Sequence, residues 1–545
     1  MTVLKVTVLP WYQHAFIRYP YKTKMQKIIV VTGGVLSGLG KGITAASIGH
    51  LISKQVTPIK LDGYLNTDPG TMNPLEHGEV FVLDDGSEVD MDFGHYERFL
   101  DTTCTGAQSV TMGKVFEEIR KKERRGDYLG KTVQYVPHVV NLIKEKILSI
   151  KSEIILIEVG GTVGDLENNL YIEAIRQLRQ DVGKENILYV HLTYVPIPVG
   201  VNEQKSKPTQ QSVNELRSKG IQPDIIIARC SEYLTPKIVN KIANFCDVSP
   251  QHVITAIDVD NVYKIPYVFQ EQGLLTVLNQ SLKLYLQPQT AWTQLLTNLD
   301  NPQQEIVVAI YGKYTDLGDS YASINEALMH CAAHLKTKIN LQLIDTSTFN
   351  GNITANAVII PGGFGSRGTE GKIEVIKQCR KQGTPILGIC LGMQLMVVEH
   401  ARSLGLNANS TEIDPNIEHP VIDIMVEQKS VTDKGATMRL GAYTAILKEG
   451  IVSSLYNSTM VSERHRHRYE VNPQYHNQLE QEGLILCGKS EDGRLVEFIE
   501  RSDHPYFVGT QAHPELKSTF TKPAPLFMGL VNAALKSKPT LQNAN

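Results

Sequence analysis

One short segment combines a cysteine with the glycines that a sharp turn needs. The segment GICLGMQ, residues 388–394, directly follows the apolar run PIL, and Cys390 lies between its two glycines. A strand that turns abruptly into a helix exposes such a nucleophile, and the helix dipole favours its thiolate. Far downstream, GTQAHPELKS supplies His513 as a base and Glu515 as the group that orients it. The pattern predicts covalent acyl chemistry at Cys390.

Two neighbouring features support this interpretation. IIPGGFGSRG contains Gly362 and Gly363, whose backbone N–H groups could form an oxyanion hole. Related stress-response proteins and peptidases with the same nucleophile elbow have His directly after the cysteine. This chain has Leu391 at that position, which favours a base that is distant in sequence. A buried cysteine after a strand is usually only a small hydrophobic residue. The combination of features in a compatible order favours catalysis.

A second segment has the residues of a phosphate-binding loop. VVTGGVLSGLGKG, residues 30–42, follows a predicted strand and precedes the helix-like ITAASIGHLIS. Glycines let backbone N–H groups surround phosphate oxygens, and Lys41 can reach the β- and γ-phosphates. Five residues separate Gly34 from Gly40, and Gly42 stands where a Walker A motif has the Ser or Thr that holds magnesium. We therefore expect the magnesium ligands to come from elsewhere.

Two carboxylates are candidates for those ligands. Asp92 lies in VDMDFGHYER, and Glu158 ends the apolar run IILIEVGG. An acid on a buried strand is costly unless it is paired or metal-bound, and oxygen ligands suit Mg²⁺. We expect strands to deliver both carboxylates to one edge of a sheet. A salt bridge to a lysine is the alternative for Glu158, and spacing does not rank Asp90 against Asp92.

Two polar segments could serve the same reaction. Lys60 in PIKLDGY could place a second positive charge over phosphoryl oxygens, although a lysine in this setting is more often a solvated surface residue. EQKSKPTQQS, residues 203–212, is predicted to be a short polar loop suited to a second phosphorylated ligand. Such a segment is an ordinary loop more often than not.

The elements that must position these groups form two α/β units. Short apolar runs typical of buried parallel strands alternate with helix-like stretches such as 169–182 and 211–219, which is the rhythm of a doubly wound sheet. We predict strands at 27–34, 153–161, 187–196, 223–230, 305–312, 339–345, 356–363, 384–390, 483–490 and 495–500.

Domain boundaries follow from the same pattern. The predicted units are a first domain at 25–281, a linker rich in Gln, Asn and Pro with one short helix at 282–304, and a second domain at 305–535. We expect residues 1–24 to be an extension that is disordered or not native, and 536–545 to be a short tail.

Composition excludes several classes of protein. A length of 545 residues implies two to four domains. The net charge of −3 gives no general attraction to nucleic acid or acidic membranes. Seven dispersed cysteines without a CxxC pair fit reduced thiols better than disulfides or zinc. No apolar run approaches the roughly 20 residues that cross a bilayer. We expect a cytoplasmic protein that binds neither nucleic acid nor membranes.

Long stretches between residues 25 and 535 resemble the CTP synthase family. They are VTGGVLSGLGKG, DPGTMNP, HGEVFV, DFGHYERF, RKKERRGDYLG, GGTVGD, KPTQ, YKIP, PGGFG, GICLGMQ, TMRLGA and ERHRHRYEVN. The resemblance implies a Rossmann-like, P-loop-type amidoligase domain followed by a class I glutamine amidotransferase domain of flavodoxin-like α/β fold. It also implies that ATP with Mg²⁺ phosphorylates the 4-oxygen of UTP, and that ammonia from L-glutamine displaces the phosphate to give CTP. Activation by GTP, inhibition by CTP and a homotetramer that can form filaments are further implications.

The resemblance also implies roles for individual residues. The nucleotide loop is Ser37, Gly38, Leu39, Gly40, Lys41, Gly42 and Ile43, with Lys41 and Lys60 as catalytic lysines. Asp92, rather than Asp90, joins Glu158 as a magnesium ligand. Contacts with CTP fall on Asp165, Leu166 and Glu167, and a shared UTP/CTP pocket falls on Lys205, Ser206, Lys207, Pro208, Thr209, Gln210 and Lys241.

In the second domain, the resemblance implies a nucleophile, base and orienting acid at Cys390, His513 and Glu515. The implied glutamine-binding positions are Gly363, Leu391, Gly392, Met393, Gln394, Glu412 and Arg468. Arg367 is a candidate for the region that senses GTP. The chain departs from the family pattern at Gly38, Gly63, Ser206 and Ala512, and its segment before Lys60 is shorter, but no required chemical group is missing.

The sequence leaves two alternative functions open. A related ATP-dependent amide synthase acting on a cofactor precursor shares the phosphate loop and the glutaminase, although KSKPTQ and GGTVGDLE count against it. An assembly or regulatory protein with a weakened active site is the second alternative. The intact set of catalytic groups argues against that alternative.

Overall fold

The computed structural model describes residues 26–52, 56–73, 77–312, 321–346, 349, 351–428, 435–481 and 483–537. The predicted extension 1–24 and residues 538–545 lie outside the described residues. Within the described ranges, the chain forms two α/β units, each built on a central sheet. No helix in these ranges is both long enough and apolar enough to span a membrane.

The first unit is built on parallel strands. Its strands are β1 (Lys27–Gly33), β2 (Val56–Asp62), β3 (Phe81–Val82), β4 (Glu88–Val89), β5 (Ser109–Thr111), β6 (Ile154–Val159), β7 (Ile187–Tyr194), β8 (Ile225–Cys230) and β9 (Val253–Ile257). In the described residues, seven of them form a sheet in the order β5-β2-β6-β1-β7-β8-β9, and every pairing is parallel. Helices cover both faces of such a sheet, so its strands read as nearly continuous apolar runs.

The helices of this unit and of the connection to the next are α1 (Lys41–Ile52), α2 (Asp92–Leu100), α3 (Met112–Arg125), α4 (Val140–Ser149), α5 (Asn169–Val182), α6 (Lys207–Ser218), α7 (Pro236–Cys246), α8 (Ile265–Glu271), α9 (Leu274–Leu282) and α10 (Thr293–Asp300). The expected helix at 169–182 is confirmed. The predicted polar loop at 203–212 is wrong in its second half, because α6 begins at Lys207. Pro208 occupies its first turn, where a missing N–H costs nothing.

The second unit has a mixed sheet. Its strands are β10 (Gln304–Gly312), β11 (Thr337–Asp345), β12 (Ala357–Ile360), β13 (Ile386–Ile389), β14 (Ala408–Ser410), β15 (His419–Ile424), β16 (Arg439–Leu447), β17 (Met460–His467), β18 (Tyr469–Val471), β19 (Leu484–Ser490), β20 (Val496–Arg501) and β21 (Phe507–Thr510). In the described residues, the sheet runs β11-β10-β12-β13-β21-β20-β19-β16-β17, parallel as far as β21 and antiparallel beyond it.

The helices of the second unit are α11 (Ala322–Leu335), α12 (Thr369–Gln382), α13 (Leu391–Ser403), α14 (Ile451–Tyr456), α15 (His476–Leu479) and α16 (Pro525–Ser537). Helix α16 extends two residues into the predicted tail. The two units also share one hydrophobic core, in which Tyr263 of the first stacks on Phe520 of the second with ring centroids 4.2 Å apart. The units are therefore packed together rather than joined only by the linker.

Candidate active sites

The glycine-rich loop lies where the sequence places it, between β1 and α1. Its base is fixed to the sheet, because the Gly34 N–H donates to the Leu192 carbonyl at 3.1 Å and the Val163 N–H donates to Gly33 at 2.8 Å. Gly38 and Gly40 have φ values of 74° and 87°, which favour glycine. Lys41 begins α1 and reaches back over Gly33.

Gly42 is the position where this loop departs from Walker A, and the structure gives a physical reason. A Cβ at Gly42 would lie 1.9 Å from Oδ1 of Asp92. The Asp92 carboxylate therefore occupies the space in which a larger side chain would stand. Asp92 is the first residue of α2 rather than the end of a strand, so the expectation that strands deliver both carboxylates is wrong for Asp92.

Glu158 does lie on a strand, β6, beside Lys60 on β2. The Lys60 ammonium donates to Oε1 of Glu158 at 3.0 Å and also pairs with the Asp92 carboxylate. The Tyr96 hydroxyl donates to the other Glu158 oxygen. Lys60 is 4% exposed, so the expectation of a solvated surface lysine is wrong. Its pairs with Asp92 and Glu158 hold the pKa of Lys60 well above its ordinary value, although burial alone would lower it.

The same region holds more negative than positive charge. Among the described residues, six carboxylates and two lysines line it: Asp62, Asp90, Asp92, Glu158, Asp165 and Glu167, with Lys41 and Lys60. Burial raises the pKa of Asp62 to about 8 and also raises those of Asp90 and Glu158. A divalent cation would offset this excess. Mg²⁺ commonly takes one or two carboxylates with phosphate oxygens, so Asp92 and Glu158 fit it as a donor pair.

These groups line a cavity of about 960 Å³, which we call the phosphate-loop cavity. Gly38, Gly40, Lys41, Gly42 and Ile43 of the loop line it. Asp165 and Glu167 also line it, and the Asp165 carboxylate accepts hydrogen bonds from the N–H and hydroxyl of Thr162. Leu166, between them, is 81% exposed.

The segment implied to bind UTP or CTP does not line the phosphate-loop cavity. Among the described residues that line the phosphate-loop cavity, none belongs to 205–210 and Lys241 is also absent. Lys207 and Lys241 are exposed and Lys205 is half-buried, whereas Thr209 is buried and donates to the Tyr194 carbonyl at 3.1 Å. These residues therefore do not line the phosphate-loop cavity of their own chain, although the helix that carries residues 207–210 packs beside the loop, where a Cβ on Gly34 would lie 1.7 Å from Oγ of Ser212.

Cys390 has the backbone of a sharp turn. Its φ and ψ are 53° and −106°, and it separates β13 from α13. The Cys390 N–H donates to the Thr510 carbonyl of β21 at 2.7 Å, which fixes the turn to the neighbouring strand. A Cβ at Gly392 would lie 2.0 Å from the Ile360 carbonyl oxygen, so the glycine allows the close approach of α13. The predicted strand–turn–helix is confirmed.

His513 and Glu515 lie beside that thiol. Nδ1 of the His513 ring is 2.7 Å from Oε1 of Glu515. The backbone N–H of His513 donates to the Arg464 backbone carbonyl at 2.7 Å. Burial disfavours the imidazolium, but the charges of Glu515 and Cys390 and hydrogen bonds with both raise the pKa of His513 to about 10. A protonated imidazole beside the sulfur supports the thiolate, which is the nucleophile. The three groups can therefore perform nucleophilic attack on a carbonyl.

A second cavity of about 380 Å³ opens at the thiol, and we call it the cysteine cavity. Gly362 and Gly363 line it, and a Cβ at Gly362 would lie 3.0 Å from Cε1 of His513. Arg468 also lines it and donates to Gln428 and Thr437. The cavity thus offers backbone donors and a guanidinium around one reactive sulfur.

The other residues implied to bind glutamine lie on helix α13 or near the Gly365 loop rather than in the lining of the cysteine cavity. Met393 and Gln394 are buried on α13, and the Gln394 amide donates to Tyr469 and Gln511. Leu391, Gly392 and Met393 carry the first N–H groups of the helix, which precede the first bond back to Cys390. Oε1 of Glu412 accepts the Gly365 N–H at 2.9 Å.

Several side chains that line the two cavities were not among the residues predicted from the sequence. His95 lines the phosphate-loop cavity, and its Nδ1 has no hydrogen-bond partner among the described residues. Glu79 and Arg466 line the cysteine cavity, where Arg466 donates to Glu88 at 2.8 Å. His95 lies within DFGHYERF, Glu79 within HGEVFV and Arg466 within ERHRHRYEVN, so each belongs to a stretch that resembles the family, although no local pattern assigned it a role.

Comparison with known proteins gives a consistent family assignment. The family model for the CTP synthase N-terminus matches residues 27–284, and that for class-I glutamine amidotransferase matches 316–533. A CTP synthase of Methanococcus maripaludis is 49% identical over 94% of this chain and 100% of its own. One of Borreliella afzelii is 50% identical with the same coverage. A solved Trypanosoma brucei CTPS glutaminase domain with bound acivicin is 33% identical, covering 43% of this chain and 95% of its own, with a TM-score of 0.40. The chain belongs to the CTP synthase family.

Proposed function

We propose that the protein aminates UTP to CTP, using ATP and ammonia that it releases from L-glutamine. The observation that carries this proposal is the presence, in one chain, of a phosphate-loop cavity and a separate Cys-His-Glu cavity. Family membership supports the same reaction. Phosphoryl transfer depends mainly on positioning and charge, and the first cavity supplies both.

At the phosphate-loop cavity, the proposed substrates are ATP and UTP. Lys41 and the loop N–H groups from Ser37 to Ile43 hold the triphosphate, and Lys60 stabilises charge on the transferred phosphoryl group. Asp92 and Glu158 would hold Mg²⁺, which would neutralise phosphate charge when bound. Phosphorylation of the UTP 4-oxygen makes it a leaving group that ammonia then displaces as phosphate.

At the cysteine cavity, the proposed substrate is glutamine. The Cys390 thiolate attacks the carboxamide carbon to form a thioester, and His513 gives its proton to the departing ammonia. His513 then activates water, which releases glutamate. Glu515 keeps the imidazole oriented, and the N–H groups of Gly363 and Leu391 stabilise the oxyanion. Gly392, Met393, Gln394, Glu412 and Arg468 complete the proposed glutamine site.

The remaining ligand contacts are part of the same proposal. Asp165, Leu166 and Glu167 contact CTP, while residues 205–210 with Lys241 bind the pyrimidine nucleotide. Since this segment does not line the phosphate-loop cavity of its own chain, we propose that a neighbouring subunit of a homotetramer completes the pocket. GTP activation, CTP inhibition, filament assembly and a cytoplasmic location are proposed on the same family basis.

The proposed function is tested by an assay of CTP formation in which the substrates are supplied together and then omitted one at a time. UTP, ATP, Mg²⁺ and glutamine together should give CTP, followed as a rise in near-ultraviolet absorbance and identified by chromatography. Omission of ATP or of UTP should abolish the signal. Product from a cofactor-precursor acid in place of UTP, or no product with either glutamine or ammonia, would refute the proposal.

A further inference from the structure

Helix α2 carries groups that face both halves of the molecule. It begins at Asp92, and one turn later Tyr96 donates to Glu158. The next residue, Glu97, points instead toward the second unit, where it meets Arg464 of β17. A single rigid helix thus contacts the phosphate-loop cavity and a strand of the glutaminase unit.

The contact with Arg464 is a buried, two-pronged ion pair. Nη1 and Nη2 of Arg464 donate to the two Glu97 oxygens at 2.7 and 3.1 Å, and Nε donates to Asp84 at 2.5 Å. Arg464 is 2% exposed, and Glu97 also accepts the Cys104 N–H at 2.7 Å. A bidentate guanidinium–carboxylate pair fixes direction as well as distance. The position of Arg464 is therefore set by the first unit.

Arg464 in turn holds the segment that carries the catalytic base. The backbone carbonyl of Arg464 accepts the backbone N–H of His513 at 2.7 Å, and Nη1 of Arg464 donates to the Leu516 carbonyl at 3.3 Å. These two bonds bracket His513 and Glu515 on both sides. Both ends of the short turn that presents the imidazole to Cys390 are consequently attached to one residue.

We propose that Arg464 is a positioning residue for His513, and that its pair with Glu97 ties the geometry of the Cys-His-Glu site to helix α2. The inference rests on the proposed function, because it assigns His513 the role of base in glutamine hydrolysis. Displacement of a catalytic group by about 1 Å can cost about 10²-fold in rate. Loss of the Glu97 carboxylate should therefore slow glutamine hydrolysis far more than the ammonia-dependent reaction.

The experiment compares Glu97→Gln with a matched control. Glu326→Gln makes the same change at the same interface, where Glu326 accepts from the Tyr263 hydroxyl at 2.5 Å and pairs with His330 rather than with the turn that carries His513. We expect Glu97→Gln to lower glutamine-dependent kcat by about 10- to 100-fold, with ammonia-dependent kcat within about threefold of the wild type. Glu326→Gln should leave the ratio of the two rates unchanged.

A second readout separates positioning from a general loss of stability. Alkylation of Cys390 by iodoacetamide, followed on its own peptide by mass spectrometry, should shift to higher pH in Glu97→Gln because the imidazolium is displaced from the sulfur. If Glu97→Gln does not fold, Asp84→Asn weakens the same guanidinium from a half-exposed position and should change both readouts in the same direction.

Two results would overturn the inference. One is an equal fall of the glutamine- and ammonia-dependent rates in the folded variants. The other is an unchanged rate ratio together with an unchanged alkylation profile. A wild-type protein that makes no CTP would refute the proposed function instead, while the alkylation profile would still test the link from Glu97 to His513.

Discussion

The two cavities hold their reactive groups in different ways. In the cysteine cavity, backbone geometry does most of the positioning: Cys390 sits on a turn with positive φ, and His513 is two residues from the acid that orients it. In the phosphate-loop cavity, side-chain charges hold one another, with Lys60 placed between Asp92 and Glu158. The first arrangement is organised without a ligand, whereas the second has an excess of carboxylates to be balanced by one.

This difference has a consequence for binding. A cation held by Asp92 and Glu158 would compete with the Lys60 ammonium for the same oxygens, so Lys60 would have to release them when the metal binds. The cysteine cavity needs no comparable exchange. We therefore expect substitutions in the two cavities to have separable effects.

The largest separation should come from Lys41→Met. In the proposed reaction, Lys41 is the loop lysine, and its loss would remove a charge that stabilises the transferring phosphoryl oxygens. We expect ammonia-dependent CTP synthesis to fall by about 10³-fold or more, while Cys390 alkylation keeps its wild-type rate. Lys121→Met, at a side chain that is 71% exposed on α3, is the control. Ammonia-dependent synthesis that survives in Lys41→Met would contradict this division of roles.

A smaller effect is expected from Gly42→Ala. The added methyl group would lie 1.9 Å from Oδ1 of Asp92, so the carboxylate must move. We expect a fall of about 10²-fold in synthesis, with a higher Mg²⁺ concentration needed for half-maximal rate. Unchanged glutamine hydrolysis in the same preparation serves as the internal control. An unchanged Mg²⁺ requirement would show that Asp92 is not a metal ligand.

The smallest effect concerns stability and pH in the cysteine cavity. The pKa of His513 is raised to about 10, so protonation of His513 stabilises the folded state fully below its ordinary value of 6.5. That contribution is lost as the pH rises through 10. We expect the Tm difference between wild type and His513→Asn to be a few degrees at pH 6 and to shrink by pH 10.5, measured by calorimetry. A constant difference would mean that the imidazolium pair is absent.

The sequence predicted the parts of each site that depend on local pattern. The phosphate loop follows a strand that is apolar on both faces, and the Gly-Cys-Gly turn joins β13 to α13, so both could be placed from neighbouring residues alone. Glu158 was predictable for the same reason, since it ends an apolar strand.

Positions that depend on tertiary packing were harder to predict. Asp92 lies at the start of a helix rather than on a strand. The local sequence around Lys60 is typical of a surface lysine, but in the structure β2 places Lys60 between two carboxylates. The pair between Glu97 and Arg464 joins residues 367 positions apart, and no local pattern connects them. Charged partners of this kind are set by how the two units pack.

The most direct test of two separable centres is the effect of Cys390→Ala on CTP synthesis from each nitrogen source. Two separable centres predict that glutamine-dependent synthesis disappears while synthesis from added ammonia stays within about twofold of the wild-type rate. Loss of ammonia-dependent synthesis in folded Cys390→Ala, or glutamine-dependent synthesis that persists without the thiol, would contradict it.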